Sequence, residues 1–419
     1  MGKTIAEKIF SAKSGRDVRA GDYVVADLDY TMSHDGNRPL AVDVFREMGG
    51  TKVFDPAKNI QIIDHAPTCP TDSTAKMHRH LRDFVEEYGV NFFDLGEGSC
   101  HQLMPEKGLV LPGDLVVGTD SHTCTYGALN AFSTGIGSSD MACAMMCGKL
   151  WFRVPESIKF VLNGTLPLGV YSKDLILHMI DLVRADGATY KSVEFTGPVI
   201  SGLSVDARMT ISNMAIEMGG KAGLMEFDDK TRAWLEGRAT RPYTPVSADP
   251  DAVYSRVIEI DVTGLSPQVS KPHFVDNVSR IEDVGDIPIH EAIIGACTNS
   301  RLEDLRVAAQ ILKGHRAHKG TRLFVVPASR TVYREAIREG LIDVFLESGA
   351  VIGTPGCSGC SGGANFACPG DGENVVSSAN RNFKGRLANP NAFIYLGSPA
   401  TVAASAVTGR LTDCREFLQ

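Results

Sequence analysis

The chain has 419 residues, of which 43% are hydrophobic and 22% charged, with 42 glycines and only 7% aromatics. That length exceeds one ordinary domain and sets an expectation of about two to four; the glycine-rich, aromatic-poor balance favours α/β architecture with many tight turns over an all-β sandwich. A net charge of −8 excludes the basic footprint of a nucleic-acid binder, so an anionic ligand must be held by a local cluster of arginines and not by the global field.

No apolar run reaches the roughly eighteen residues a membrane-spanning helix needs. The N-terminal stretch MGKTIAEKIFSAKSG is short and amphipathic and lacks the apolar region of a signal peptide. Ten cysteines, scattered without a short-period framework, point to a reducing cytoplasm.

Residues 4–12 read as a helix, and DYVVADLDYTMSHD at 22–35 as a strand running into a polar loop. NIQIIDHAP at 59–67 is a short apolar strand ending at Asp64 and His65. TAKMHRHLRDFVEEYG at 74–89 has helical spacing and a glycine C-cap. VNFFDLGEG at 90–98 is a strand that leads through a glycine turn to Cys100 and His101. GDLVVGTDSHT at 113–123 repeats the design, an apolar run followed by Asp120, Ser121 and His122, and the Gly/Ala/Ser-rich segment 127–152 reads as one helix. Strands that end in polar clusters and feed helices are the mark of a parallel α/β sheet, whose sites lie beyond the carboxyl ends of the strands. Three such ends each deliver a histidine, His65, His101 and His122.

A second unit begins near residue 156 with a strand, a turn and a helix over 157–183. RMTISNMAIEMGGKAGLMEF at 208–227 is a helix leading into an apolar strand, and it carries Asn213 and Glu217. The polar, weakly periodic stretch 269–286 reads as a linker to a third α/β unit. The expected domains are 1–155, 156–280 and 281–419.

GTPGCSGCSGG at 353–363 cannot pack a core or hold a regular helix. A CxxC pair alone fits a redox couple, half a zinc site, or chance. Ser-Gly between the thiols and Ser-Gly-Gly after them argue against the helix that a thioredoxin-like pair opens. A structural zinc site wants four Cys/His ligands, whereas the other cysteine in a strand-end loop is Cys297, in IIGACTNSR. Three thiolates suit an iron–sulfur cluster with one iron free of protein ligands; electron-transfer clusters use four. An open corner is the logic of a catalytic metal site. Zinc binding and disulfide exchange stay open on these residues alone.

GTDSHT (118–123), GACTNSRLEDL (295–305), CSGC (357–360) and SSANRNFKGR (377–386) closely resemble the aconitase superfamily of iron–sulfur hydro-lyases, in order through nearly the whole chain. Length and start resemble the branch formed by the large subunits of isopropylmalate dehydratases and homoaconitases. The resemblance implies three α/β/α domains with mainly parallel sheets around one central [4Fe–4S] cluster per subunit. It also implies a small subunit that carries a swivelling fourth domain and a catalytic serine, because this chain ends soon after its third unit. The implied activity is dehydration and rehydration of a small di- or tricarboxylate, as in the leucine-pathway interconversion of 2- and 3-isopropylmalate. Homocitrate-type, dimethylmalate, citramalate and maleate chemistry are the alternatives within the superfamily. An iron-sensing or RNA-binding relative is disfavoured by the net charge, and a zinc-stapled structural subunit would be colourless.

Carried over by motif, Cys297, Cys357 and Cys360 would ligate the cluster. Asp64, His65, His101, Asp120, His122 and Glu217 would supply acid–base chemistry, with His122 and His101 the better proton donors. Ser121, Asn213, Asn380, Arg381 and Arg386 would hold substrate and cluster-bound water, with Arg301 a secondary candidate. The sequence departs from the family at CSGC followed by Ser361-Gly362, where CGPC followed by Leu/Ile-Gly is common. An aconitase glutamine near the first strand aligns roughly with Pro39 and is not carried over. His78, His80, His178, His273, His315 and His318 read as surface or satisfied core, and the remaining cysteines as small hydrophobes or loop residues.

Overall fold

The computed structural model describes residues 2–36, 38–361 and 366–418. Three mainly parallel sheets with helices against them make an α/β fold. The first sheet runs, in spatial order, Asn91–Phe93, Asn59–Ile62, Tyr30–His34, Leu115–Gly118, Phe132–Gly135, all parallel. The second is Ala222–Met225, Ser192–Thr196, Ser157–Asn163, Arg256–Asp261, also all parallel. In the third, Phe393–Leu396, Asn374–Ser377, Glu291–Ile294, Arg322–Val325 and Val351–Ile352 are parallel. Central strands such as Asn59–Ile62, Leu115–Gly118 and Glu291–Ile294 are buried at every residue, as parallel strands covered on both faces must be. Three large hydrophobic clusters follow the three sheets.

Strand order decides where chemistry can sit. In the first sheet the chain builds outward from Tyr30–His34 to one side, then returns to add Leu115–Gly118 on the other. In the third it builds from Glu291–Ile294 to one side, then returns with Asn374–Ser377. Each reversal leaves a crevice at the carboxyl ends, where two loops diverge. The registers His34↔Ile62 and Ile62↔Phe93 bring three of the first sheet's ends level.

Four expectations change. The segment 22–35 holds two strands: Tyr23–Asp27 alternates exposed and buried residues and pairs antiparallel with Lys149–Arg153, and the wholly buried Tyr30–His34 enters the first sheet. The segment 127–152 is the end of a 3-10 stretch Ser121–Leu129, a strand Phe132–Gly135, a helix Ser138–Cys147 and the strand Lys149–Arg153, divided by turns that even composition hides. The expected linker is an edge hairpin, Gln268–Ser270 with Val278–Arg280, attached antiparallel to Phe393–Leu396. The third sheet therefore begins before residue 281. Finally, Ser358–Ser361 forms one helical turn, closed by the Cys360 N–H on the Cys357 carbonyl at 3.0 Å. A single such bond needs no helix-forming composition. Gly362 and Gly363 of the same motif lie outside the described residues. Among the described residues no helix is long and apolar enough to cross a membrane.

The first two units are fused by backbone contact. A Cβ on Gly127 would lie 1.9 Å from the Gly223 carbonyl oxygen, while Asn130 Nδ2 donates to the Met225 carbonyl at 2.9 Å. Gly127→Ala is expected to destabilise the protein by about 1–3 kcal/mol through overpacking, seen as a lowered thermal midpoint. Gly202→Ala, whose Cβ meets nothing within 4 Å, should leave the midpoint unchanged.

Candidate active site

The crevice of the third sheet gathers three thiols. Cys297 follows Glu291–Ile294, and Cys357 and Cys360 sit on the turn after Val351–Ile352. They are 2%, 6% and 1% exposed and free of disulfides. The Cys357 thiol hydrogen-bonds both others, and Cys357 and Cys360 pack with Ala296 and Ala379. The hydrogen bond from Cys357 comes first in holding Cys297 down to about 6. Polar groups converge on the sulfurs. Asn213 Nδ2 lies 3.3 Å from Cys297 Sγ and 2.8 Å from Thr125 Oγ1. Cys360 Sγ donates to Asn380 Oδ1 at 3.0 Å, while Asn380 Nδ2 faces Cys297 Sγ at 3.8 Å and donates to Asn213 Oδ1 at 3.1 Å. Arg386 Nη2 donates to Cys360 Sγ at 2.9 Å.

The crevice of the first sheet gathers carboxylate–histidine pairs. Asp64 Oδ1 bonds His65 Nδ1 at 2.7 Å, and Asp64 Oδ2 accepts the Cys100 N–H at 2.7 Å. Asp120 caps the Ser121–Leu129 stretch by accepting the His122 N–H at 2.7 Å. Its Oδ1 also meets His101 Nε2 at 2.8 Å and stands 3.3 Å from His122 Nδ1, and its Oδ2 stands 3.6 Å from His65 Nε2. His122 Nε2 bonds Glu217 Oε1 at 2.8 Å, and Arg381 Nε donates to the same oxygen at 2.8 Å. His101 Nδ1 stands 3.3 Å from the Tyr126 hydroxyl. The six acid–base candidates and Arg381 are one connected network.

Charge follows this wiring. Burial would raise Asp120, but its histidine neighbours hold it well below the usual carboxylate range. Burial and Arg381 would lower His122, yet Asp120 and Glu217 lift it to about 9. Burial likewise opposes His65, and Asp64 with Asp120 raises it well above an ordinary imidazole.

The two crevices meet through backbone. The Cys357 N–H donates to the Asp64 carbonyl at 2.8 Å, and a Cβ on Gly356 would stand 2.7 Å from that oxygen. Glycine is therefore the residue that lets the thiol turn reach the Asp64–His65 pair.

Two candidates are placed otherwise. Arg301 is 1% exposed and spends its donors inside the protein: Nη2 on the Cys297 carbonyl at 2.7 Å, Nη1 on the Thr298 carbonyl at 2.9 Å, Nε on Gln102 Oε1 at 3.1 Å. These bonds shape the cysteine loop, and Asp304 accepts the Arg301 backbone N–H at 3.0 Å. Ser121 lines a cavity of about 350 Å³ with Thr119, Gly135, Ile216 and Lys221.

Sequence reasoning missed supporting residues. Lys173 is 0% exposed, and its Nζ donates to the carbonyls of Ser378 at 3.0 Å and Ala379 at 2.5 Å, directly before Asn380 and Arg381. Burial pushes it down to about 7. Its place beside Ile176 and Leu177 on one helical face was the available signal. Asp35 accepts the N–H groups of Asp64, His65 and Ala66 at 3.1, 2.8 and 2.9 Å and sets the loop that carries the first pair. TMSHD, at a strand end like the other pairs, was the signal for Asp35 and for His34.

A histidine raised from 6.5 to about 9 contributes stability that is full below its unfolded value and lost as pH rises through its folded one. Glu217→Gln removes one of the charges that raise it and frees Arg381 to oppose it. The variant should titrate His122 at lower pH in histidine NMR spectra, and lose less stability than the parent between pH 6.5 and about 9.

Comparison with known proteins agrees along the whole length. The model of the aconitase family (aconitate hydratase) matches residues 7–286 and 277–409. The chain is 51% identical over 422 residues to the 3-isopropylmalate dehydratase large subunit 1 of Thermotoga maritima, covering 100% of each chain. It is 48% identical over 419 residues to the protein of that name from Methanopyrus kandleri, again covering 100% of each. A probable 3-isopropylmalate dehydratase large subunit of Methanothermobacter thermautotrophicus is 50% identical over 414 residues, 98% of this chain and 99% of that one. Among solved structures, the holo-form of Thermococcus kodakaraensis aconitase X shares the fold at a TM-score of 0.51 and 12% identity, over 90% of this chain and 88% of that one. Aconitase-family proteins generally carry a [4Fe–4S] cluster. With its motifs in order and its full length matched, the chain is a member of the aconitase family.

Proposed function

We propose that the chain is the large, catalytic subunit of a hydro-lyase of the 3-isopropylmalate dehydratase type. It would hold one [4Fe–4S] cluster on Cys297, Cys357 and Cys360 and act with a small subunit. The observation that carries the reading is the convergence of three buried thiols with the Asp120 network, in a chain matched end to end by relatives of that name.

The donor set fits a cluster. The thiols are free and buried, and donors face two of them, Asn213 Nδ2 on Cys297 and Arg386 Nη2 on Cys360, groups suited to stabilise thiolates. When bound, the cluster supplies a Lewis-acid iron for a hydroxyl that is otherwise a poor leaving group. The other roles fall to side chains. His101 and His122, oriented by Asp120, hold the protons that leave with the hydroxyl. Arg381 donates Nε to Glu217 and is 24% exposed, so its terminal nitrogens are available to a substrate carboxylate. The base that removes the carbon-bound proton would be the serine of the small subunit, whose swivelling domain would cover the site.

Two measurements test this reading. Anaerobic reconstitution should load about four irons and four sulfides per chain, and Cys357→Ser should lower that iron content; unchanged iron would refute the ligand set. The chain co-purified with its small subunit should act on isopropylmalate in preference to homocitrate-type, dimethylmalate and citramalate substrates. Activity of the large chain alone would refute the two-subunit reading, and preference for another acid would move it within the superfamily.

A further inference from the structure

His34 belongs to none of the carboxylate–histidine pairs, yet it stands at the same crevice. It closes the strand Tyr30–His34 and is 2% exposed. Its ring stacks on that of His65, with centroids 3.9 Å apart and planes 20° apart. Its Nδ1 accepts the Gly36 backbone N–H at 3.1 Å. That nitrogen therefore presents its lone pair, and the proton of the neutral ring sits on Nε2. Among the described residues Nε2 is buried without a hydrogen-bond partner, and it lies 3.7 Å from Asp120 Oδ2.

We propose that His34 is a positioning residue for the carboxylate of Asp120: a neutral imidazole, locked in one tautomer by the Gly36 amide, that aims its Nε2–H at Oδ2 while stacking on His65. The inference rests on the reading of Asp120 and His65 as acid–base machinery.

The wiring of Asp120 gives the reason. Oδ1 takes His101 and the His122 N–H, whereas Oδ2, among the described residues, faces the longer approaches of His65 at 3.6 Å and His34 at 3.7 Å. An N–H donor on the Oδ2 side stops the carboxylate from turning, and so keeps Oδ1 aimed at His101. Protonating His34 would set a ring N–H against the Gly36 N–H. Burial and the adjacent His65 oppose that charge as well and outweigh the attraction of Asp120, Asp64 and Asp35, so the ring is held down to about 4. A neutral ring can stack face to face on the charged His65 where a second cation could not.

The same corner offers one ligand atom each from His34, Asp35, Asp64 and His65 within 4.8 Å of one another, a spacing that a metal ion could use. Existing pairings favour the positioning role. Asp35 already accepts three backbone N–H groups and contacts His78 Nε2 at 3.3 Å; Asp64 is taken by His65 and the Cys100 N–H; and the His34 nitrogen facing inward carries a proton.

His34→Phe keeps a ring to stack and removes the donor, whereas His34→Gln restores an N–H near the Nε2 position. In the cluster-loaded two-subunit enzyme, the Phe variant should lose about 10- to 100-fold in kcat with KM within about twofold, and its pH profile should shift. The Gln variant should recover most of that loss. Wild-type kcat and pH profile in the Phe variant, or an equal loss in both variants at parental thermal midpoint and iron content, would overturn the proposal. Nitrogen-15 histidine NMR of the full chain decides independently of activity and of whether the Phe variant folds. His34 should show one uncharged, Nε2-protonated form from about pH 5 to 8. A proton on Nδ1, charging within that range, or displacement of its signal by added zinc ions would overturn it. A parent enzyme inactive on every malate-type acid would refute the proposed function and leave this NMR result to stand or fall by itself.

Discussion

The site is organised around one mostly buried negative charge. A carboxylate removed from water must be matched by donors, and Asp120 is matched by His101, His122 and the more distant His65 and His34. Those partners arrive from four different strand ends of the first sheet. Satisfying one carboxylate therefore fixes four loops, which is more than any of their short strands could do alone. The cost is that the imidazoles cannot all be charged at once. Their different connections resolve this, with His122 and His65 raised and His34 lowered.

The second constraint is the joining of this crevice to that of the third sheet. Every link crosses between units. Glu217 spans His122 and Arg381, Asn213 spans Thr125 and Cys297, Arg301 reaches from the cysteine loop to Gln102, and Lys173 holds the loop before Asn380. The second unit contributes Asn213 and Glu217 from the approach to its edge strand Ala222–Met225, and Lys173 from the helix Ser172–Val183. It works as a wedge whose polar residues reach both crevices.

Much of this was legible in the sequence, for a physical reason. A parallel sheet needs apolar runs, and its loops carry function, so His65, His101 and Asp120–His122 stand out as polar clusters that terminate such runs. The cysteines stand out because glycine and serine surround them. What stayed hidden depends on three-dimensional pairing. Arg301 is indistinguishable in sequence from a substrate arginine, and only the carbonyls around its guanidinium reveal its structural use. Lys173 reads as surface charge until the helix is packed. The hairpin of Gln268–Ser270 and Val278–Arg280 is too short and too polar to show a period, because edge strands owe their existence to the sheet they join. His34 ends its strand as the others do, but it pairs with a backbone amide and with no adjacent aspartate.

The bond between the Cys357 amide and the Asp64 carbonyl has a wider consequence. It joins the two half-sites peptide to peptide and depends on side-chain identity only in requiring glycine at position 356. Alignment of thiols with acid–base pairs is thus insulated from the residues that line the space between them. Such a scaffold can exchange those lining residues, and with them the acid it prefers, while the reacting groups stay in register. Diversification of substrate within one architecture then needs no rebuilding of the machinery.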